Sequence, residues 1–215
     1  MKIGVFDSGI GGKSVAQAVE KALPAAEVLF MHDSPEHFPY ATKHPDEIYS
    51  FIVPIFQHLV DVGCDAVIIA CNTVSTTLAP QLRETFRVPL IALEPMVKPA
   101  AALTKSGVIC VCATPTTLAS QRYAWLKGTY AKGATVLEPD CADWSYLIER
   151  NQMTEGRIRR EIEPALARGA DVIVLGCTHY HWIEQEIRHI VAGKAEVLQP
   201  ETAVIAQLKR VLSLA

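Results

Sequence analysis

Residues 63–73, GCDAVIIACNT, and residues 169–179, GADVIVLGCTH, decide the fold of this chain. Aligned without a gap, 106 positions apart, the two segments place Gly on Gly, Asp on Asp, and Cys71 on Cys177. A second pair keeps the same offset, because residues 3–8, IGVFDS, fall on residues 109–114, ICVCAT. An offset shared by two separate pairs of segments predicts an internal duplication, and hence two similar halves.

The repeated apolar runs predict β-strands that are buried on both faces. Each run holds four to six mostly β-branched residues, follows a Gly-x-Asp turn and ends at small polar residues, as in a parallel sheet. Helical patterns lie between the runs, which indicates β-α-β units. We therefore predict an α/β protein of two pseudo-symmetric domains with mainly parallel sheets. The first domain is expected at 1–94, with 204–215 returning as its final helix, and the second at 95–203.

The polar residues that follow the predicted strands indicate where a ligand binds. In open parallel sheets, ligands bind beyond the carboxyl ends of the strands. Cys71 and Cys177 occupy that end, and so do Asp7-Ser8 and Thr114. If the halves face each other, an active site lies in the cleft between them and the two thiols approach it from opposite sides. Such a site suits removal of a proton from one face of a carbon and its return on the other face.

Composition limits the class of protein. Half of the 215 residues are hydrophobic and 20% are charged, which predicts a substantial core. A net charge of −3 without a basic cluster argues against nucleic acid or an anionic membrane as a partner. No apolar run approaches the roughly 18 residues of a membrane span, and the first residues lack the apolar region of a signal peptide. Six cysteines, mostly inside apolar runs, therefore predict reduced thiols in the cytoplasm.

Two further stretches resemble ligand-binding motifs but lack the residues or the spacing that those motifs need. The turn at residues 7–14, DSGIGGKS, lacks the last glycine of a dinucleotide loop, and Asp7 stands where a Walker A loop needs its first glycine. A carboxylate there would repel phosphate, so Asp7 and Ser8 are expected to cap a helix, to face the cleft, or both. The histidines at 32, 37 and 44 have no familiar zinc spacing, which favours a surface loop.

Four interpretations of the cysteine pair compete. The pair could be core cysteines, a metal site of Cys71, Cys177 and His179, a single nucleophile of a hydrolase, or two acid/base groups. Core packing explains each cysteine singly but not the repeated position before polar residues. No C-x-x-C or H-x-x-x-H spacing supports a metal. Two acid/base thiols explain the repeat and the neighbouring hydroxyl groups together, and a nearby helix N-terminus favours a thiolate.

Five motifs carry a resemblance to a known family: FDSGIGG at 6–12, PYA at 39–41, ACNT at 70–73, ATPTT at 113–117 and GCTHY at 176–180. Their order and spacing resemble the glutamate racemases of the aspartate/glutamate racemase superfamily over nearly the whole chain. The resemblance implies an enzyme without pyridoxal phosphate, metal or other cofactor. It implies that Cys71 and Cys177 are the catalytic thiols, Cys71 assisted by Asp7, and Cys177 by Glu149 and His179. The implied substrate contacts are Ser8, Pro39, Tyr40, Ala41, Asn72, Thr73, Thr114, Thr117 and Thr178.

Three departures from the family pattern bear on the substrate and on oligomer contacts. Ala41 replaces the usual glycine after Pro-Tyr, His181 stands where a proline is usual, and the C-terminal tail is short. Glutamate is the substrate that the resemblance implies, with D-glutamate supplied for peptidoglycan. Aspartate is the runner-up, and an amino-acid-binding module without catalysis is the alternative from another class. A homodimer is left open.

Overall fold

The computed structural model describes residues 1–214. Its strands are β1 (Lys2–Asp7), β2 (Glu27–His32), β3 (Ala66–Ile69), β4 (Leu90–Ala92), β5 (Val108–Ala113), β6 (Thr135–Leu137), β7 (Val172–Gly176) and β8 (Glu196–Leu198). Its helices are α1 (Lys13–Ala22), α2 (Pro45–Asp61), α3 (Asn72–Thr77), α4 (Ala79–Thr85), α5 (Val97–Leu103), α6 (Pro115–Ala119), α7 (Gln121–Tyr130), α8 (Trp144–Glu149), α9 (Glu155–Ala167), α10 (Glu184–Val191) and α11 (Glu201–Val211). Short 3₁₀ turns cover Ile10–Gly12, Tyr40–Thr42 and Thr178–Ile183.

The chain divides into two compact units. One contains Met1–Glu94 and the residues from Pro200 onward, and the other contains Pro95–Gln199. Each unit holds one four-stranded sheet in which every described pair of neighbouring strands is parallel. The expected α/β class is therefore confirmed, whereas the boundary expected at 203/204 stays a prediction.

The sheet topology repeats with the sequence. The strand orders are β2-β1-β3-β4 and β6-β5-β7-β8. The starts of β5, β7 and β8, at 108, 172 and 196, each lie 106 residues after the starts of β1, β3 and β4, at 2, 66 and 90. The 106-residue offset found in the sequence therefore relates three of the four strands of the first sheet to their equivalents in the second sheet.

Both faces of the first sheet are covered. Along β3, Val67 and Ile69 pack against the buried stripe of α2, while Ala66 and Ile68 pack towards α1 and α11. All four residues of β3 are buried, which is why the strand is a continuous apolar run. Val204 and Leu208 of α11 join this second face, so the last helix completes the core of the first unit.

The second sheet is covered in the same way. Ile173 and Leu175 of β7 pack with Trp144 of α8 and the apolar stripes of α9 and α10. Val172 and Val174 pack on the opposite face with α5 and α7. The alternation along each central strand fixes its register, because a slip of one residue would exchange the two faces.

The repeated Gly-x-Asp turn has the same task in both units. Gly63 follows α2 with φ 79°, and Gly169 follows α9 with φ 88°, a conformation that glycine adopts without strain. The aspartate two positions later accepts hydrogen bonds from backbone N–H groups at the start of the neighbouring strand or just before it. Asp65 accepts a hydrogen bond of 2.7 Å from the Lys2 N–H, and Asp171 accepts bonds of 2.7 and 2.8 Å from Lys105 and Ser106.

The helices depart from the sequence pattern in two places. A single helix is expected from about Ser75 to Thr85, but α3 begins at Asn72 and a separate α4 follows Leu78. Pro80 lies in the first turn of α4, where its missing N–H costs nothing, and it cannot continue α3. Residues 94–99 are expected to form the crossing into the second half, but α5 begins within them at Val97 and continues to Leu103.

Candidate active site

Cys71 lies at the carboxyl end of β3 and immediately precedes α3. The residue is 5% exposed, and the backbone around it is held because the Ser75 hydroxyl donates a 2.9 Å hydrogen bond to the Ile69 carbonyl. Asn72 and Thr73 form the first turn of α3 and are buried as well. The ACNT motif therefore concentrates a thiol, an amide and a hydroxyl group at one strand end.

Ser8 and Asp7 reach the same edge from β1, which is the neighbour of β3 in the sheet. The Cys71 thiol donates to the Ser8 hydroxyl oxygen at 3.5 Å. Asp7 is fully buried, and its Oδ2 accepts a 2.7 Å hydrogen bond from the N–H of Gly12. A Cβ atom at residue 12 would lie 2.6 Å from the Asp7 Cβ, so glycine is required for the turn to close over the carboxylate.

Neither Asp7 nor Ser8 is the N-cap residue of α1, although Asp7 does cap the turn that precedes this helix. The N-cap residue of α1 is Gly12, with no side-chain capping bond, and Asp7 binds the N–H of that residue from the strand below. The physical reason is that the 3₁₀ turn Ile10–Gly12 separates β1 from α1 and carries the helix start away from residues 7 and 8.

Pro39, Tyr40 and Ala41 lie in the loop between β2 and α2. The Tyr40 ring is 2% exposed and belongs to the same apolar cluster as Phe6 and Cys71. Its hydroxyl donates a short hydrogen bond to Asp33, the residue that follows β2. Burial, together with the Asp33 carboxylate, holds the pKa of Tyr40 well above its ordinary value, so the hydroxyl keeps its proton and acts as a donor.

Cys177 occupies the equivalent position in the second unit. It follows β7, is 7% exposed, and its sulfur lies 3.9 Å from Nδ1 of His179. The other ring nitrogen of His179 lies 2.5 Å from a carboxylate oxygen of Glu149, the last residue of α8. A carboxylate that accepts from Nε2–H leaves Nδ1 to exchange a proton with the thiol. Cys177, His179 and Glu149 therefore form a continuous chain of groups that can exchange protons. The sequence predicts all three of them for the site.

Three threonines lie just after β5 and β7, at the same edge of the second sheet. Thr114 caps α6 by accepting from the Thr117 N–H, and its hydroxyl donates to the Thr117 hydroxyl at 3.0 Å. Thr178 directly follows the thiol and is 1% exposed. The first and second units therefore each bring a buried cysteine together with hydroxyl groups at the carboxyl edge of a parallel sheet.

The buried side chain of Asn72 has polar atoms without hydrogen-bond partners among residues 1–214, a feature that indicates a binding site. Among residues 1–214, neither polar atom of its side chain has a hydrogen-bond partner, although the residue is 2% exposed. A buried amide without partners costs free energy that a bound ligand can recover. The side chain has the groups needed to bind a polar molecule through both its donor and its acceptor.

The remaining cysteines pack in the cores. Burial raises the pKa of Cys64 and of Cys141, and hydrogen bonding to Cys112 together with burial raises that of Cys110. A raised pKa keeps a thiol protonated and weakly nucleophilic. Within the described part of the chain, no group of three or more His, Cys, Asp or Glu side chains could hold a metal ion.

The structure therefore shows a duplicated α/β chain with one buried thiol at the same edge of each sheet. The chain belongs to the Asp/Glu/Hydantoin racemase family, whose model matches residues 3–208. A glutamate racemase of Ectopseudomonas mendocina is 37% identical over 215 residues, which cover 98% of this chain and 81% of that protein. The chain is thus an isomerase of the racemase class.

Solved structures agree with this assignment. Escherichia coli glutamate racemase, in complex with L-glutamate and the activator UDP-MurNAc-ala, matches with a TM-score of 0.91 and 27% identity over 99% of this chain and 82% of that one. Glutamate racemase of Francisella tularensis, in complex with D-glutamate, matches with a TM-score of 0.82 and 27% identity over 99% and 81%. In residues 1–214, no helix is long and apolar enough to cross a membrane.

Proposed function

We propose that this chain interconverts L- and D-glutamate by transferring the α-proton between two thiols, without a cofactor. The observation that carries the proposal is the repeated half-site: a buried thiol after β3 beside Ser8, and a buried thiol after β7 beside His179 and Glu149. Relatives whose solved structures contain L-glutamate or D-glutamate support glutamate as the substrate.

The proposed reaction requires one thiolate and one thiol at the start of each turnover. The thiolate takes the α-proton, and the electron pair of the broken C–H bond moves into the α-carboxylate. The opposite thiol then donates its proton to the other face of the carbon, so that the two sulfurs exchange protonation states. In this proposal Cys71 and Cys177 act on opposite faces of the α-carbon of the substrate.

The neighbouring groups have distinct roles in this mechanism. Asp7 assists Cys71, while His179, oriented by Glu149, assists Cys177 by holding a proton near the sulfur. Donors around the α-carboxylate stabilise the charge that develops there. The contacts proposed for this task and for the rest of the substrate are Ser8, Pro39, Tyr40, Ala41, Asn72, Thr73, Thr114, Thr117 and Thr178.

The decisive experiment incubates the protein with single enantiomers of glutamate and of aspartate in D2O, with no added cofactor. We expect deuterium at the α-carbon of the product enantiomer of glutamate, and no interconversion after Cys71→Ala or Cys177→Ala. A preference for aspartate would identify the chain as a racemase of the same family with a different substrate. The methyl group that Ala41 adds to the proposed pocket would then be the physical reason for the preference. Binding of glutamate without any α-proton exchange would establish a non-catalytic binding module, and a trapped covalent cysteine adduct would establish a hydrolase.

The biological role belongs to the same proposal. Supply of D-glutamate for peptidoglycan, in the cytoplasm, is what the family resemblance implies, and six free, buried cysteines are consistent with a reducing compartment. Growth of a D-glutamate-requiring bacterial strain that expresses the chain tests this role. The Cys71→Ala variant, expressed at the same level, should not support growth.

A further inference from the structure

Asp33 is a buried carboxylate that the proposed mechanism does not use. It directly follows β2, the neighbour of β1, and is 5% exposed. Burial of an ionised carboxylate is costly unless hydrogen bonds compensate for the lost water. Four such bonds reach Asp33, and all of them come from the loop that leads to Tyr40.

The bonds to Asp33 fix this loop at three points. Oδ1 accepts from the Ser34 N–H at 2.7 Å, and Nδ1 of His37 lies 2.9 Å from each carboxylate oxygen. Oδ2 accepts from the Tyr40 hydroxyl. One carboxylate thus binds the first, middle and last parts of the segment that presents Pro39, Tyr40 and Ala41.

His37 connects the same network to α2. Its ring stacks on Phe51 with centroids 3.7 Å apart and an interplanar angle of 5°. The ammonium group of Lys43 lies 5.7 Å from the centre of the Phe51 ring and 3.1 Å from Glu47 of α2. Loop and helix are therefore joined by a stacked ring on one side and an ion pair on the other.

We propose that Asp33 and His37 are positioning residues of the racemase, which hold the loop at residues 34–42 ready for the substrate. This inference rests on the proposed function, because it assumes that residues 39–41 contact glutamate. No contact recorded for Asp33 involves either thiol, so its task is the order of the loop. Without these bonds, the loop must be ordered when the substrate binds. The free energy needed to order it weakens substrate binding more than it slows the chemical step.

Substitution of Asp33 tests the proposal through the balance between KM and kcat. Asp33→Asn keeps the size of the side chain but replaces one acceptor oxygen by a donor, so bonds to His37 or Tyr40 are lost. We expect KM for both glutamate enantiomers to rise about 10-fold or more, the loss typical of a hydrogen bond to a charged group, with kcat within about 3-fold of the parent. A fall in kcat with unchanged KM would overturn the proposal.

Substitutions at the two partners separate the hydrogen bonds from the stacking. His37→Asn places an amide donor near the position of Nδ1, so it should restore KM relative to His37→Ala, which removes both donor and ring. Tyr40→Phe removes only the hydroxyl group and should raise KM in the same direction as Asp33→Asn. Equal KM values for His37→Ala and the parent would remove His37 from the proposal.

Glu36→Gln is the matched control. It removes a negative charge from an exposed position of the same loop and leaves Asp33 intact, so KM should not change. Hydrogen exchange gives a readout that needs no turnover: amides at 34–42 should exchange faster in Asp33→Asn than in the parent, with α2 unchanged. Parent protein that fails to racemise defeats the proposed function, whereas equal exchange in the two proteins defeats the positioning role alone.

Discussion

Glu149 and His179 give the Cys177 half-site an asymmetry that kinetics can detect. The half-site of Cys71 has a hydroxyl group at 3.5 Å, whereas that of Cys177 has an imidazole bonded to a carboxylate. Glu149→Gln leaves an amide that cannot stabilise a protonated His179, so proton transfer at Cys177 should become slower. Since general acid–base groups contribute about 10²-fold or more, we expect kcat/KM to fall by about that factor.

The isotope effect identifies which thiol is affected by Glu149→Gln. The equilibrium constant of a racemisation is one, so kcat/KM must fall equally for both enantiomers. With α-deuterated substrates, the isotope effect on kcat/KM should rise for the enantiomer deprotonated by Cys177 and fall for the other. Equal changes for both enantiomers would show that Glu149 acts on the whole protein rather than on one thiol. Glu155→Gln, at an exposed position at the start of α9, is the control and should change neither quantity.

At the residue scale, the sequence predicts the side chains that occur at equivalent positions of the two halves. It does not predict those whose burial depends on the folded conformation of a loop. Cys71 and Cys177 were predicted because the repeat places them at equivalent strand ends. Asp33 was not predicted, since its burial arises from bonds to His37 and Tyr40 and from the stacking of His37 on Phe51. No periodicity records such contacts. An acid at the carboxyl end of a strand was the one available signal, as it was for Asp7.

At the scale of elements, strands were more predictable than helices. The 106-residue offset locates β5, β7 and β8 from β1, β3 and β4, because a buried strand needs a continuous apolar run. Helix α5 escaped prediction because seven residues, VKPAAAL, contain a proline and too few turns for a clear apolar stripe. Its position is set by packing of Val97 and Ala100 on the second sheet, which is a tertiary contact.

Asp171 allows a prediction for one of these elements, the start of β5. Although partial burial acts in the opposite direction, hydrogen bonds from Thr104, Ser106 and Lys105 lower the pKa of Asp171 to about 2. A carboxyl group with a lowered folded-state pKa stabilises the fold above its unfolded pKa, about 3.9, and this contribution is lost as the pH falls towards 2. Asp171→Asn should therefore lower the free energy of unfolding at pH 7 by about 1 kcal/mol, a value reduced by solvent screening.

Thermal unfolding between pH 7 and pH 2 measures this effect. The stability difference between the parent and Asp171→Asn should shrink as the pH falls below about 4. Asp65→Asn is the comparison that the repeat supplies, because Asp65 accepts one backbone N–H where Asp171 accepts two backbone N–H groups and a hydroxyl group. Its effect on stability should be smaller. A difference for Asp171→Asn that stays constant down to pH 2 would contradict the electrostatic explanation.

At the scale of the whole molecule, the duplication divides the proposed chemistry between two units. Each unit has its own sheet and its own hydrophobic clusters, and in the proposed mechanism each contributes one thiol. The proposed mechanism needs both thiols on one substrate, and the sequence leaves a homodimer open. A racemase could therefore take both thiols from one chain or one thiol from each of two chains.

Mixing two inactive variants distinguishes these arrangements. Cys71→Ala and Cys177→Ala should each be inactive alone, and we expect a mixture to remain inactive after joint refolding, because every chain then lacks one of its thiols. Parent protein refolded in the same way is the control for recovery. If the thiols came from different chains, about half of the dimers would be mixed and each would have one intact site of two, so about a quarter of the parent activity would return. The molar mass measured by light scattering would show whether dimers were present. Recovered activity would contradict the single-chain site while leaving the two-thiol reaction intact.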